Sequence, residues 1–243
     1  MALGWLFRSA RYSKVRIVHH DGERQVRKYR LFYAPLLVWM GGPLVRILDT
    51  GVRVLPQQEW EERERRVYLS LHGTSIQIEA GMLVLPGLRG RTLAALLEDP
   101  ALERSVRNRA IRLAVVALAE LHAQAFTHGD AMAENVMVDL EAGVAHWIDF
   151  ETIHDSSRRM SWRRADDVRA LLVTCLVRTV HEELDQTLQL ILDVYRDEGV
   201  SRLLATSFTS AWRRPLTFHL GQAGLSFQYF QEIARLLRAR IDE

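Results

Sequence analysis

"THGDAMAENVMVDLEAGVAHWIDFE", residues 127–151, sets Asp130, Asn135 and Asp149 at the ends of short apolar runs. The part "ENVMVDLEAGVAHWIDF" reads as two short strands joined by a Glu141-Ala142-Gly143 turn. Such a hairpin brings Asn135, ahead of the first strand, and Asp149, behind the second, to the same end. Asp130 stands just upstream, after His128-Gly129. An amide oxygen and a carboxylate side by side are the hard donors that a magnesium ion takes, with waters and phosphates completing its shell. The plain alternative is a pair of surface hairpins with polar turns. The flanking sequence has to decide between them.

Upstream, "RSVRNRAIRLAVVALAELHAQ" (104–124) predicts a long amphipathic helix, with Ile111, Val115, Leu118 and Leu121 near helical spacing and Ala125 just beyond. "TLAALLED" (92–99) is a shorter one. "SIQIEAGMLVLPGL" (75–88) reads as two strands around Gly81. "PQQEWEERERRVYLSLHG" (56–73) reads as a helix, with Pro56 near its start, Trp60, Val67 and Leu71 on an apolar stripe, and Gly73 as its stop. "KVRIVHHDGERQVRKYRLF" (14–32) predicts a β-hairpin turning at Asp21-Gly22, with Lys28 on its second strand. Downstream come a basic loop, "SSRRMSWRR" (156–164), and helices from about 166 to 180, 182 to 197 and 226 to 240. This order gives an α+β protein. Residues 1–86 form a β-rich part with one helix. Residues 87–243 form a helical part carrying the polar hairpin, after a linker near 86–91.

The 243-residue chain is long enough for one large domain or for two lobes sharing a cleft. Its formal charge is only +2, which gives no case for nucleic acid as a partner. The single cysteine, Cys175, lies in the apolar run "ALLVTCLV" and reads as a buried thiol in a reducing, cytoplasmic setting. "MALGWLF" is too short for a secretory h-region. No run reaches the roughly 18 apolar residues of a spanning helix. The stretch "APLLVWMGGPLVRIL" (34–48) is interrupted by Pro35, Gly41, Gly42 and Pro43. It has two readings. It is core of the first part, or it is an apolar patch that, with nearby arginines, meets the inner face of a membrane peripherally.

"HGDAMAEN" (128–135) resembles the catalytic loop H-x-D-x-x-x-x-N of the protein-kinase-like superfamily, and "IDFE" (148–151) stands where D-F-G would stand. The closest flavour is that of lipopolysaccharide core kinases and of aminoglycoside and choline kinases. The resemblance is strongest over 107–151 and weakens before 56 and after 180. It implies a bilobal fold and an ATP- and Mg²⁺-dependent transfer of phosphate to a hydroxyl of a sugar, glycolipid or small metabolite. Asp130 would be the catalytic aspartate, and Asn135 and Asp149 would hold magnesium. Lys28 would grip the nucleotide phosphates, paired with Glu64 or, second, Glu61. Backbone near Leu85 and Gly87 would meet the adenine. Asp166 or Asp167 would cap the catalytic loop.

The sequence departs from the superfamily pattern in three places. No glycine-rich loop precedes Lys28, Glu151 replaces the D-F-G glycine, and no A-P-E follows. A pseudokinase that binds without turnover and an atypical protein kinase are therefore the rival readings. The loop "SSRRMSWRR" is either an exposed basic segment or a site for an anionic acceptor.

Overall fold

The computed structural model describes residues 13–20, 23–31, 51–79, 81–209 and 227–239. The Asp21-Gly22 turn and the 34–48 stretch lie outside these. The described chain is a mixed α+β structure with antiparallel sheets and several helices.

Strands β1 (Ser13–His20) and β2 (Glu23–Arg30) form the expected hairpin. With β4 (Gln77–Glu79) and β5 (Met82–Pro86) they make a four-stranded sheet in the order β1-β2-β5-β4. Register puts Val15, Lys28 and Leu83 in one row, and Ile17, Val26 and Leu85 in another row on the same face. Helix α1 (Gln57–His72) covers part of this face. Pro56 sits at its N-cap, and Gly73 ends it in the left-handed region, donating its N–H to Leu69 O at 3.0 Å. Trp60, Arg63, Glu64, Val67 and Tyr68 are buried, which is an i, i+3, i+4, i+7, i+8 stripe. Trp60 and Tyr68 join Leu55, Ile76, Leu83 and Leu85 in one hydrophobic core. Val67, on the same helix, packs into a second and larger core. Leu71, expected on the stripe, is only half-buried against that core.

The second core is built from α2 (Leu93–Leu97), α3 (Arg104–Ala123), α4 (Met160–Leu176), α5 (Leu184–Tyr195), α6 (Glu198–Thr209) and α7 (Phe227–Ala239). Short β6 (Arg91–Thr92) pairs with β7 (Val136–Asp139), which pairs with β8 (Val144–Trp147) as the expected hairpin. Cys175 is buried in this core. Among the described residues no helix is long and apolar enough to cross a membrane.

Three features differ from the sequence reading. Helix α4 begins at Met160 and takes in the second half of the supposed basic loop, so Asp166 and Asp167 stand inside the helix and do not open it. The cause is Trp162, which is buried edge-on to His154 with its ring over Gly51. Gly51 has φ +73 and no room for a Cβ beneath that ring. The second difference is α6, not expected because Gly199 and polar residues interrupt its pattern. The third is a two-stranded sheet of β3 (Val52–Val54) with β9 (Thr152–His154), extended by Leu55 N–H to Glu151 O at 2.8 Å. It fastens the start of α1 to the chain just after "IDFE".

Candidate active site

Lys28 is 4% exposed and points from the inner face of β2 into a cluster of acids. Its Nζ donates to Glu64 Oε1 at 3.0 Å and to Asp149 Oδ1 at 2.6 Å, and it lies 3.2 Å from Glu151 Oε1. Glu64 Oε1 also accepts from Trp60 Nε1 and from the backbone N–H of Phe150, each at 3.2 Å. Helix α1 thus holds one carboxylate against both the strand lysine and the end of the hairpin. Glu61 is turned away, with its Oε1 taken by Gln57 Nε2. Of the two expected partners for Lys28, Glu64 is the one in contact.

Burial works against the charge on Lys28, but Asp149, Glu64 and Glu151 together hold its pKa well above the usual lysine value. Burial also works against ionised Asp149, and Lys28 outweighs it, so this carboxyl stays below the ordinary range. For Glu151, burial comes first and Asp149 second, and its pKa is raised. Three carboxylates therefore meet one ammonium. That leaves uncompensated negative charge around Asp149, whose side chain is still 40% exposed.

Facing this cluster is the loop 127–135. His128 is fully buried and neutral. Burial lowers its pKa to about 4, its Nε2 bonds Ile148 O at 2.9 Å, and its Nδ1 accepts the N–H of Asp130 at 3.2 Å. It is a structural hydrogen-bonding residue. Gly129, at φ +85, would bring a Cβ to 3.1 Å from Thr152 Oγ1, so glycine suits this turn on two grounds. Asp167 anchors the loop. Its two oxygens accept the N–H of His128 at 2.7 Å and of Gly129 at 2.8 Å, and it contacts His122 Nε2 at 3.0 Å. The expected loop cap is therefore Asp167. Asp166 instead meets His154 and Arg169.

Asn135 Nδ2 donates to Asp130 Oδ2 at 2.9 Å and to Asp130 O at 2.8 Å. Asp130 Oδ1 is buried with no hydrogen-bond partner. Burial first and Asp149 second raise the Asp130 pKa to about 7. Backbone pairing across the hairpin end, Ile148 N–H to Asn135 O at 2.9 Å, sets Asn135 beside the strand that leads to Asp149. Asp149 itself has φ +70, a left-handed conformation that a non-glycine residue adopts at a cost of about 1–3 kcal/mol.

Among the described residues no group of three His, Cys, Asp or Glu side chains stands at metal-holding spacing. The donor set instead suits a cation bound together with phosphates. It offers the Asn135 amide oxygen and the Asp149 carboxylate, with excess negative charge around them.

A cavity of about 190 Å³ opens beside Lys28 and Asp149. Val26, Leu85, Leu88, Met137 and Ile148 line it, under the half-exposed Val15 and Ile17 of β1. Leu85, one of the two positions expected at the adenine, is among the lining residues. Gly87 does not line this cavity. Its N–H is spent on Arg24 O at 2.8 Å, and it borders a larger open groove of about 600 Å³ that lacks Lys28, Asp130 and Asp149. Of the two positions expected at the adenine, Gly87 thus stands outside this cavity, with its donor paired to β2.

Sequence reasoning missed two charged side chains near the site, Glu151 against Lys28 and Arg63 on the buried stripe of α1. The signal for Arg63 was its position one helical turn from both Trp60 and Val67.

The geometry predicts coupling between Lys28 and Glu64. Lys28→Met and Glu64→Gln are each expected to lower stability, since each breaks the same buried ion pair. The double variant is expected to cost less than the sum, with a coupling energy of about 0.5–3 kcal/mol measured by chemical denaturation. Strict additivity, or coupling to Glu61 in place of Glu64, would break the pairing.

No protein-family model matches the chain, and a search of curated proteins returned no match.

Proposed function

We propose that the chain is an ATP- and magnesium-dependent phosphotransferase of bilobal protein-kinase-like fold, acting on a hydroxyl of a sugar, glycolipid or small metabolite. The observation that carries this reading is the clasp of Lys28 by Glu64 of α1 and by Asp149 at the hairpin end, opposite the hydrogen-bonded pair Asp130–Asn135. Phosphoryl transfer asks the protein for little covalent chemistry. It needs a cation on the phosphates, ligands for magnesium, and a carboxylate at the acceptor hydroxyl.

The apolar slot under Val15 and Ile17 fits a flat base, and Lys28 and Asp149 are among its lining residues. Asn135 and Asp149 are the residues that would hold magnesium, which supplies charge neutralisation on the phosphates when bound. Asp130 orients the acceptor. Asn135 fixes its Oδ2, and Oδ1, free of partners, takes the hydroxyl proton. A carboxyl pKa near 7 suits a base working at neutral pH. Between β9 and α4 the chain runs only through residues 155–159. That segment leaves little room to dock an extended peptide, which favours a small acceptor over a folded protein.

Thermal unfolding with ATP, with and without Mg²⁺, tests the reading. At a ligand concentration a hundred times Kd, binding adds about 2.7 kcal/mol to stability. The expected result is stabilisation by ATP that Mg²⁺ enhances, followed by ATP-dependent phosphate gain in a pool of sugars and glycolipids. No stabilisation under either condition removes the nucleotide site. Binding without phosphate gain in any pool favours a non-catalytic binding module.

A further inference from the structure

Arg63 takes no part in the chemistry above, yet it is 6% exposed and close to the site. Its Nη2 donates to the carbonyl of Thr127 at 2.5 Å, and its guanidinium carbon stands 5.9 Å from the centre of the Phe150 ring. Its Nε is buried with no hydrogen-bond partner. Each contact falls beside a site residue. Arg63 adjoins Glu64, Thr127 opens the loop that carries Asp130, and Phe150 follows Asp149. The far side of Thr127 is held as well, its hydroxyl meeting His154 Nδ1 at 2.9 Å.

We propose that Arg63 is a positioning residue that locks α1 to the catalytic loop, so that the Lys28–Glu64 pair and the Asp130–Asn135 pair keep one fixed spacing. This rests on the phosphotransferase reading. A helix is a stiff element with a 1.5 Å rise per residue, so fixing Arg63 fixes Glu64 beside it. The start of α1 is fastened independently through Leu55 N–H to Glu151 O and the β3–β9 pairing. Two ties on one helix hold Glu64 inward without help from a ligand or a modified loop. The unmatched Nε carries a desolvation cost that offsets part of what the bond to Thr127 O contributes to stability. What Arg63 does supply is a defined separation between two rigid parts, and phosphoryl transfer depends on that separation.

The test compares wild type with Arg63→Met and Arg63→Lys in the full chain, at a temperature where near-UV circular dichroism shows each folded. With the acceptor found in the pool assay, Arg63→Met is expected to lower kcat by about 10- to 10²-fold and to leave the KM for ATP within about threefold. Arg63→Lys, which keeps a donor, should fall between the two. Hydrogen exchange gives a readout that needs no turnover. In Arg63→Met the amides of His128 and Gly129 and of the Glu64–Tyr68 stretch should exchange faster, with those of Ile111–Leu118 unchanged. The proposal is overturned by unchanged kcat and unchanged exchange. It is equally overturned by activity that falls only with the folded fraction, by uniformly faster exchange, or by failure of both variants to fold. If wild type binds no Mg–ATP, the phosphotransferase reading fails, and local against uniform exchange still decides whether Arg63 ties α1 to the loop.

Discussion

On the proposed phosphotransferase reading, Asp130→Asn is expected to retain Mg–ATP binding and to turn over at least about 10²-fold more slowly than wild type. Asparagine keeps the shape, and its amide oxygen can still accept the 2.9 Å bond from Asn135 Nδ2. What disappears is the unpartnered, buried Oδ1 as a proton acceptor. The same oxygen gives the pH profile a sign. Burial and Asp149 raise the Asp130 pKa to about 7, so kcat/KM for the free enzyme should rise through that pH and then level. Stability moves the other way. Between the unfolded value near 3.9 and about 7, the folded metal-free protein binds this proton more tightly than the unfolded chain does. The contribution of Asp130 to stability is complete below about pH 3.9 and is lost as pH rises through about 7. The asparagine variant should therefore gain in Tm relative to wild type as pH climbs from 4 to 8. Equal turnover in the two proteins would reduce "HGD" to a turn.

Much of this site was legible in the sequence, for local reasons. The hairpin 136–147 was readable because its apolar runs flank a Glu-Ala-Gly turn, and the positions of Asn135 and Asp149 follow from strand pairing alone. Helix α1 was readable because Pro56 and Gly73 mark its ends. The place of Lys28 on a strand was readable from the 14–32 hairpin, while its role came only from the resemblance. What stayed hidden depends on long-range contacts. Strands β3 and β9 are three residues each and about a hundred residues apart in sequence, a pairing that carries no local signature. The segment Met160–Arg164 looks like polar loop until Trp162 is seen buried over Gly51. Arg63 and Glu64 look like part of a solvated charged face, and only their helical spacing from Trp60 and Val67 hints that "ERERRVY" turns two of its charges inward. Both are buried because partners from other elements meet them there, Lys28 for one and the Thr127 carbonyl for the other. Glu151 was read only as a missing glycine, and its contact with Lys28 was invisible. The pairing of the Gly87 N–H with Arg24 O, across the sheet, was hidden for the same reason.

Asp149→Asn should remove the magnesium-dependent part of ATP affinity and leave the fold intact. Asp149 makes a 2.6 Å ion pair with Lys28, and its side chain is still 40% exposed toward the cavity beside Val26 and Ile148. Neutralising it acts in two ways. It takes away the stronger of the two oxygen donors offered to magnesium, since an amide carries no net charge to set against the ion. It also removes the like charge that raises the pKa values of Asp130 and Glu151, so both carboxyls should titrate lower in the variant. Lys28 keeps Glu64 and Glu151 as partners, so the strand lysine stays seated and metal-free nucleotide binding persists. The pair with Lys28 holds Asp149 below the ordinary carboxyl range, and so stabilises the wild type above about pH 3.9 and fades as pH falls below that. Near neutral pH the variant should thus be modestly less stable but folded. The measurement is the ratio of ATP Kd values without and with Mg²⁺ by calorimetry, beside a Tm for each protein. The expected ratio is well above one in wild type and close to one in Asp149→Asn. A ratio that survives the substitution would take Asp149 out of the metal site and leave it as the counter-ion of Lys28, with Asn135 then lacking the neighbour that makes it a ligand.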